Sequence, residues 1–288
     1  MTIVVSTPDV DGLDAVLAAL RDWQREGSLL QLHPGDIGWY WRSGAEQTAA
    51  TVRTWSRDGR ILAVGLLDES DLLRLTIDPD ARGDEELARG IADDIDDPDR
   101  GVLGKGEVYL EVPGDALVRD VLAEKGWHDD DPWTPLRRDL SAPVEDSGLR
   151  VEVVGPELVA VRAAVQRSAF NSTHFTEERW HDMASGPAYA DARCLVGFDD
   201  EDNAVAIVTV WSAGPGKPGI LEPMGVHADH RGKGHGRAMN IAAAAALRDM
   251  GASSAMVATP SSNTGAVAAY RSAGFEEMPQ RFDKRRDA

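Results

Sequence analysis

The chain has 288 residues, 42% of them hydrophobic and 27% charged, and 49 acidic against 30 basic residues give a formal net charge of −19. This composition is that of a globular protein and excludes collagen-like and disordered classes, and the strong negative charge argues against nucleic acid or anionic membrane as a partner. The chain has no run of 18 apolar residues and no secretory signal at its start, and its single cysteine, Cys194, suits a reducing compartment. We therefore expect a cytoplasmic protein that is a monomer or a homodimer.

Alternating strand and helix signals begin at the start of the chain. A short strand at 2–5 precedes an amphipathic helix at Leu13–Trp23, whose apolar side chains recur at helical spacing. Two apolar, β-branched segments then predict strands at Arg60–Leu67 and Leu72–Ile77. The first half is therefore predicted to be an α/β unit.

The second half shows the same succession of signals. The expected strands are 149–154, 193–198, 204–212, 220–226 and 255–258, and the expected helices are 158–170, 177–183 and 238–250.

Two local matches between the halves indicate an internal repeat. Arg82-Gly83 corresponds to Arg231-Gly232 at an offset of 149, and Gly126-Trp127 corresponds to Gly274-Phe275 at an offset of 148. The segment 141–148 has the composition of a linker. The sequence therefore predicts two α/β domains with mixed sheets, at 1–140 and 149–288, joined by a linker at 141–148.

A glycine-rich basic loop follows the strand at 220–226. Its glycines, Gly232, Gly234 and Gly236, can turn backbone N–H groups toward one point ahead of the next helix, and the helix dipole favours an anion there. The pattern matches neither a P-loop nor a dinucleotide-binding fingerprint, because the required glycines and the Lys-Ser/Thr pair are missing.

The loop and a second motif together resemble the GNAT superfamily of acetyl-CoA-dependent N-acetyltransferases. The first motif is R-x-x-G-x-G, beginning at Arg231, and the second is N-x-x-A-x-x-x-Y-x-x-x-G-F, running from Asn263 to Phe275. The resemblance covers residues 149–288, and the tandem layout is similar to that of mycothiol-synthase-like proteins. It implies acetyl-CoA as the co-substrate, with no metal.

The resemblance also implies roles for individual residues. Tyr270 would be the acid that protonates the leaving thiolate, and Asn263 would steady the pantetheine arm or simply cap its helix. Backbone groups of Met224, Gly225 and Val226 would face the acetyl group and the arm. The pyrophosphate would be held by Arg231, Gly232, Lys233, Gly234, His235, Gly236 and Arg237.

An attacking amine must lose a proton, and Glu222 is the candidate base. It precedes Val226 by four residues and so lies on the same face of the strand. The alternatives are a water relay, His227 or His230, and a Glu222 that merely faces solvent. Weaker candidates for substrate contact are Ser172, Thr173 and His174. The histidines of the loop do not repeat a known zinc spacing, so no metal site is expected.

The first half is predicted to be a degenerate copy. Glu85 and Leu87 stand where the second half has Gly234 and Gly236, and Leu122 takes the place of Tyr270. The resulting hypothesis is an N-acetyltransferase that moves acetyl from acetyl-CoA to a primary amine of a small molecule by direct attack. The alternatives are a protein lysine or N-terminal acetyltransferase and a non-catalytic CoA-binding sensor.

Overall fold

In the computed structural model, which describes residues 2–28 and 31–288, the two halves repeat one succession of strands and helices. The strands of the first half are β1 (Val4–Ser6), β2 (Val52–Arg57), β3 (Arg60–Leu67), β4 (Leu72–Ile77), β5 (Val108–Glu111) and β6 (His128–Asp139). Its helices are α1 (Leu13–Trp23), α2 (Pro34–Tyr40), α3 (Ala45–Thr51), α4 (Glu85–Asp96) and α5 (Val118–Glu124).

The second half follows the same plan. Its strands are β7 (Arg150–Val153), β8 (Ala192–Phe198), β9 (Ala204–Trp211), β10 (Pro218–Val226), β11 (Ser254–Pro260), β12 (Glu276–Glu277) and β13 (Arg281–Arg286). Its helices are α6 (Val159–Phe170), α7 (Glu177–Ser185), α8 (His235–Asp249) and α9 (Thr264–Ser272). The predicted α/β class with a mixed sheet is confirmed.

One sheet runs through both halves. Its order is β1-β2-β3-β4-β5-β13-β6-β11-β10-β9-β8-β7, with β12 paired to β6. Only β4–β5 and β10–β11 are parallel among the strand pairs of the described residues. The parallel pairs occupy equivalent places in the two halves, as expected for a repeat.

The two halves exchange their last long strands. Strand β6 of the first half pairs with β11 of the second from Trp133 to Asp139, and β13 of the second half lies between β5 and β6. The segment 141–148 has no helix or strand and connects β6 to β7. The division of the chain into two domains at this segment stays a prediction. Each half contributes a strand that pairs with strands of the other half.

Strands β10 and β11 separate partway along their length. Their parallel pairing covers only residues 218–220 of β10, although that strand continues to Val226. The pairing of β10 with β9 shifts register between Leu221 and Met224, which places a bulge at Glu222. An opening therefore forms between β10 and β11, next to the bulge.

Helix α2 joins the first half to the second. A Cβ atom added to Gly35 or Gly38 would lie 2.4 Å from the side chain of Trp211, so only glycine permits this close approach of the helix to β9. The imidazole of His33, just before α2, is also buried and lies 3.3 Å from the carbonyl oxygen of Pro218. This contact brings the first half to the side of β10.

Among the described residues, the helices are all too short or too polar to cross a membrane.

Candidate active site

An inner cavity of about 370 Å³ lies at the opening between β10 and β11. Four sequence-predicted residues line it, namely Glu222, Met224, Asn263 and Tyr270. The first half supplies the opposite wall, which includes Asp36, Asp68, Arg74 and Glu111. The structure therefore brings the candidate acid and the candidate base to one cavity, and adds charged groups from the half that was predicted to be degenerate.

Tyr270 is a nearly buried side chain on α9. Only 7% of the residue is exposed, and its ring packs edge-on against Phe275 at a centroid distance of 5.7 Å. Burial raises the pKa of its hydroxyl to about 12, and the negative charge of Glu222 adds to the effect. The hydroxyl therefore keeps its proton at neutral pH and can donate it, while the ring also serves the packing role of an apolar residue.

Glu222 lies at the bulge of β10. Its main-chain carbonyl accepts a 2.7 Å hydrogen bond from the indole N–H of Trp211, which fixes the backbone there. The side chain is 37% exposed, but the surface that it presents lines the inner cavity. Burial in this cavity and the neighbouring Asp36 raise the pKa of the Glu222 carboxyl to about 8, and Arg74 opposes them. A carboxylate with such a pKa is suited to accept a proton near neutral pH.

Arg74 joins the acidic groups of the inner cavity. Its Nη1 lies 2.9 Å from Asp36 Oδ1, 3.8 Å from Asp68 Oδ2 and 3.9 Å from Glu222 Oε1. Its Nε donates a 2.9 Å hydrogen bond to Glu111. Burial lowers the pKa of Arg74, but these carboxylates outweigh it and raise that pKa well above its usual value. One guanidinium is thus shared by four acids.

A second guanidinium, Arg281 on β13, lies 2.6 Å from Glu111. Burial opposes ionisation of Glu111, but Arg281 and Arg74 outweigh it and hold its pKa near 2. Asp283 also lines the cavity, where burial raises its pKa to about 6 despite Arg281, and its Oδ1 has no hydrogen-bond partner among the described residues. Five carboxyl groups against two guanidiniums give the cavity an acidic character that suits a cationic amine.

The glycine-rich loop borders a second cavity, the loop cavity, of about 540 Å³. Helix α8 begins after Gly234, which has φ of +88° and no side chain to cap the helix, so the first N–H groups of α8 stay available for a ligand. Gly236 lies inside α8, and a Cβ there would project toward Val226 and Ala269, at 3.6 and 3.8 Å. The loop therefore offers an unobstructed helix N-terminus of the kind that binds phosphate.

The basic side chains of the loop differ in their contacts. Arg231 donates to the carbonyl of Ala169 at 2.6 Å, and Arg237 donates to the carbonyl of Ser272 at 2.8 Å. Lys233 makes no ion pair among the described residues, and His235 lines the loop cavity. Asn263 accepts a hydrogen bond from Ala266 N–H at 3.2 Å, so it caps α9 and lines the inner cavity as well.

The equivalent end of α4 in the first half is already capped. Asp84 accepts a hydrogen bond from Leu87 N–H at 2.9 Å and forms an ion pair with Arg57 at 2.7 Å. Arg82 donates to Asp115, whose repeat position corresponds to Asn263, at 2.8 Å. The N-terminus of α4 is thus capped by a side chain of the first half, whereas that of α8 has no such cap, which agrees with a degenerate copy.

The three weaker substrate candidates lie elsewhere. Ser172 and His174 line a separate pocket on the other side of Phe170, while Thr173 is exposed and lines none of the described cavities. Sequence reasoning also missed the first-half residues of the inner cavity. Their one local signal is the charge of Arg74, the single charged residue of the mostly apolar strand β4.

A compact group of metal-type donors lies beside the loop. Asp199, His230 and His235 each place one donor atom within 4.8 Å of the others. His230 also packs against the ring of His227. These are the residues that could hold a metal ion here, and the absence of a metal from the mechanism stays an expectation.

Residues 159–275 match the sequence model of the Acetyltransferase (GNAT) family. The second half contains a GNAT domain. No curated protein matches the chain at a significant level. Solved structures with the same fold include a GCN5-related N-acetyltransferase from Sphaerobacter thermophilus, at 19% identity and a TM-score of 0.59, with 99% of this chain and 95% of that chain covered.

Two further structures resemble the whole chain. A tandem GNAT protein from the clavulanic acid biosynthesis pathway, solved without AcCoA, is 14% identical with a TM-score of 0.58, and the match covers 99% of this chain and 98% of the other. A GNAT-family acetyltransferase from Colwellia psychrerythraea is also 14% identical with a TM-score of 0.58, with complete coverage of both chains. The tandem GNAT layout predicted from the sequence is therefore confirmed, and this fold supports acyl transfer.

Proposed function

We propose that this protein transfers an acetyl group from acetyl-CoA to a primary amine of a small molecule. The observation that carries the proposal is the meeting of Glu222 and Tyr270 in one cavity, at the opening between β10 and β11 of a GNAT domain. The acidic wall of that cavity favours an amine over an anionic nucleophile.

The glycine-rich loop and the cavity beside it fit a CoA pyrophosphate. The uncapped N-terminus of α8 would supply backbone N–H groups, and Lys233 would supply a free positive charge. From there the pantetheine arm would pass between β10 and β11, beside Met224 and Asn263, into the inner cavity. When bound, acetyl-CoA supplies an activated acyl thioester.

Two side chains of the inner cavity would then each transfer one proton. The amine nitrogen forms a bond to the acyl carbon and gives up a proton, which Glu222 accepts. The carbon–sulfur bond breaks, and the Tyr270 hydroxyl donates its proton to the departing sulfur. Glu222 is thus the base of the proposal, with a pKa of about 8 that matches the task.

The first half would form part of the acceptor site. Asp36, Asp68 and Arg74 line the inner cavity next to Glu222, so the acceptor amine would contact both halves. This role explains why a half without a phosphate loop still contributes charged residues to the site. The proposal places the reaction in the cytoplasm, where the buried thiol of Cys194 stays reduced.

The test is release of free CoA thiol from acetyl-CoA in the presence of small primary amines, with the product identified by mass spectrometry. Each amine is paired with its N,N-dimethyl derivative, which has the same basic nitrogen but no N–H to lose. Thiol release with the primary amine alone supports the proposal. Binding of CoA without turnover would indicate a sensor, and acetylation of basic peptides alone would indicate a protein acetyltransferase.

A further inference from the structure

A pocket of about 160 Å³ lies between the two halves, adjacent to the inner cavity. Phe170 lines both cavities. Three arginines line the pocket: Arg42, which follows α2 in the first half, and Arg167 and Arg179, on α6 and α7 of the second. We call it the arginine pocket.

These three guanidiniums have no carboxylate within 4.0 Å in the part of the chain that the structure describes. Arg42 donates to the carbonyl of Trp39 at 2.6 Å, and Arg167 donates to the carbonyl of Phe175 at 3.0 Å. Each guanidinium has five N–H donors, so most of their hydrogen-bonding capacity is unused. Burial lowers the pKa of Arg42 and Arg179 adds to this shift, whereas Tyr40, Asp68 and Glu222 oppose it without reversing it.

A fourth arginine increases the excess of positive charge. Arg162 is completely buried and bonds to Gln166, a residue of the pocket wall, and to Thr209 at 3.1 Å. It has no ion pair among residues 2–28 and 31–288, and its Nε has no hydrogen-bond partner there. A buried unpaired charge is unfavourable unless a counter-charge lies nearby. In a chain of net charge −19, one buried and three partly buried arginines without ion pairs among the described residues indicate a site for an anion.

The pocket is held in shape by stacking. The Arg42 guanidinium lies 4.2 Å from the ring centroid of Trp39, and Trp39 stacks on Phe175 with ring centroids 5.5 Å apart and planes 4° apart. The Arg162 guanidinium covers the Phe175 ring at 4.2 Å. This column, in which two stacked rings lie between two guanidiniums, crosses from one half to the other and orients Arg42 before any ligand arrives.

We propose that the arginine pocket binds an anionic group of the acceptor, a phosphate or a carboxylate, while the amine of the same molecule lies in the inner cavity. Guanidinium groups bind both anions through paired hydrogen bonds, and the positive pocket beside an acidic cavity suits a molecule with opposite charges at its ends. This inference rests on the proposed function. It specifies the acceptor as a small amine with an anionic tail.

The test compares acceptors that share one three-carbon amine. They are 1-aminopropane, 4-aminobutyrate, 3-aminopropyl phosphate and 1,3-diaminopropane, and the series is repeated with longer chains to span Phe170. We expect kcat/KM for an anionic acceptor to exceed that of the uncharged amine by about tenfold or more, as one charge-assisted contact would give. The carboxylate and phosphate arms identify which anion the pocket takes. Highest activity with the diamine, or equal activity with all four, would overturn the inference while leaving the proposed function intact.

Variants assign the preference to the pocket. Arg179→Gln should remove the advantage of the anionic acceptor, and Arg179→Lys should restore part of it by returning the charge without the planar fork. Arg89→Gln is the matched control. The substitution removes the same charge, but Arg89 is exposed on α4 and lines neither cavity. An anionic preference that survives Arg179→Gln and Arg42→Gln would contradict the assignment.

Inorganic phosphate gives a readout that does not depend on acetyl transfer. At saturating CoA, phosphate should raise the Tm of the wild-type protein, and Arg179→Gln should abolish this rise. A rise that Arg179→Gln leaves intact would refute the pocket. If no amine is acetylated at all, the proposed function fails, but the phosphate measurement still decides whether the pocket binds anions.

Discussion

The Tyr270 hydroxyl belongs to a residue that lines the inner cavity, and it is the proton donor of the proposed reaction. It remains protonated because burial, with a smaller contribution from Glu222 in the same cavity, raises its pKa to about 12. A thiol has an ordinary pKa near 8 to 9, so its thiolate is a moderate leaving group. Protonation of the departing sulfur therefore needs to accelerate the reaction only modestly. The contribution of Tyr270 should therefore be measurable without being absolute.

We predict that Tyr270→Phe lowers kcat by about 10²-fold and leaves the affinity for CoA unchanged, since the ring and its packing on Phe275 remain. The measurement is a steady-state assay with the best acceptor, together with calorimetry of CoA binding. Tyr109→Phe is the control, because the Tyr109 hydroxyl bonds to Glu107 on the surface. A Tyr270→Phe enzyme with wild-type kcat would reduce Tyr270 to a packing residue.

The pKa of Glu222 predicts the pH dependence. As the base it must be ionised, so kcat/KM should rise with pH and level off above about 8. Asp36→Asn removes a negative neighbour that raises this pKa, so the rise should move to lower pH, while asparagine still accepts the hydrogen bond from His33 N–H. Arg74→Gln removes the positive charge that lowers the pKa of Glu222, so the rise in kcat/KM should move to higher pH.

The two variants therefore shift the profile in opposite directions. Glu222→Gln should abolish the rise, so its activity should fall furthest below wild type above about pH 8, where the wild-type carboxylate is ionised. Shifts of the same sign in Asp36→Asn and Arg74→Gln would contradict Glu222 as the titrating group and favour a water relay to another base.

Helices α4 and α8 start at equivalent points of the two halves but differ in what meets their first N–H groups. Asp84 caps α4 internally, whereas Gly234 leaves the start of α8 free. We predict that Gly234→Glu raises the KM for acetyl-CoA at least tenfold, because it places a carboxylate at the phosphate position.

Two controls separate charge from backbone strain. Gly234→Ala introduces the strain of a side chain at φ of +88° without the charge, so it should destabilise the protein but change KM less. Gly83→Glu adds the same charge to the loop of the first half and should leave KM unchanged. An equal KM for Gly234→Glu and wild type would mean that the loop does not contact the cofactor.

Elements with a local hydrophobic period could be predicted from the sequence. Helix α1 and strands β3 and β4 have the expected bounds, because their core-facing positions recur regularly. Helix α2 was not predicted, since its glycines serve contact with Trp211 rather than local helix formation. Strand β6 contains four aspartates and two prolines, and pairing with β11 and β13 stabilises it as a strand.

The same distinction applies to the site. Tyr270 and the phosphate loop lie in motifs of nearby residues, so sequence reasoning found them. Asp36, Asp68 and Arg74 reach Glu222 only through the packing of one half against the other, and nothing in their spacing from Glu222 indicates it. The guanidiniums of the arginine pocket were missed for the same reason, because Arg42 is far in sequence from Arg167 and Arg179, although two weaker substrate candidates, Ser172 and His174, line the same pocket.

At the scale of the whole molecule, the strand exchange predicts that neither half is stable alone. Residues 149–288 without β6 would expose the edge of β11, and residues 1–148 without β13 would expose the edge of β5. We expect each fragment to aggregate when expressed separately and the two to copurify as a 1:1 complex when coexpressed. A monomeric, cooperatively melting 149–288 fragment would contradict this prediction.

The exchange also has a consequence during synthesis. Strand β13 begins at Arg281, 170 residues after β5 ends at Glu111, so a ribosome working at about 5 to 20 residues per second needs roughly 10 to 30 s to supply it. Throughout that time β5 and β6 lack the strand that lies between them. The start of β6 carries Asp129, Asp130, Asp131 and Pro132, and charge and proline are the features that keep an open edge from pairing with other chains. The residues that make β6 a poor strand on its own thus protect the nascent chain until its final partner is translated.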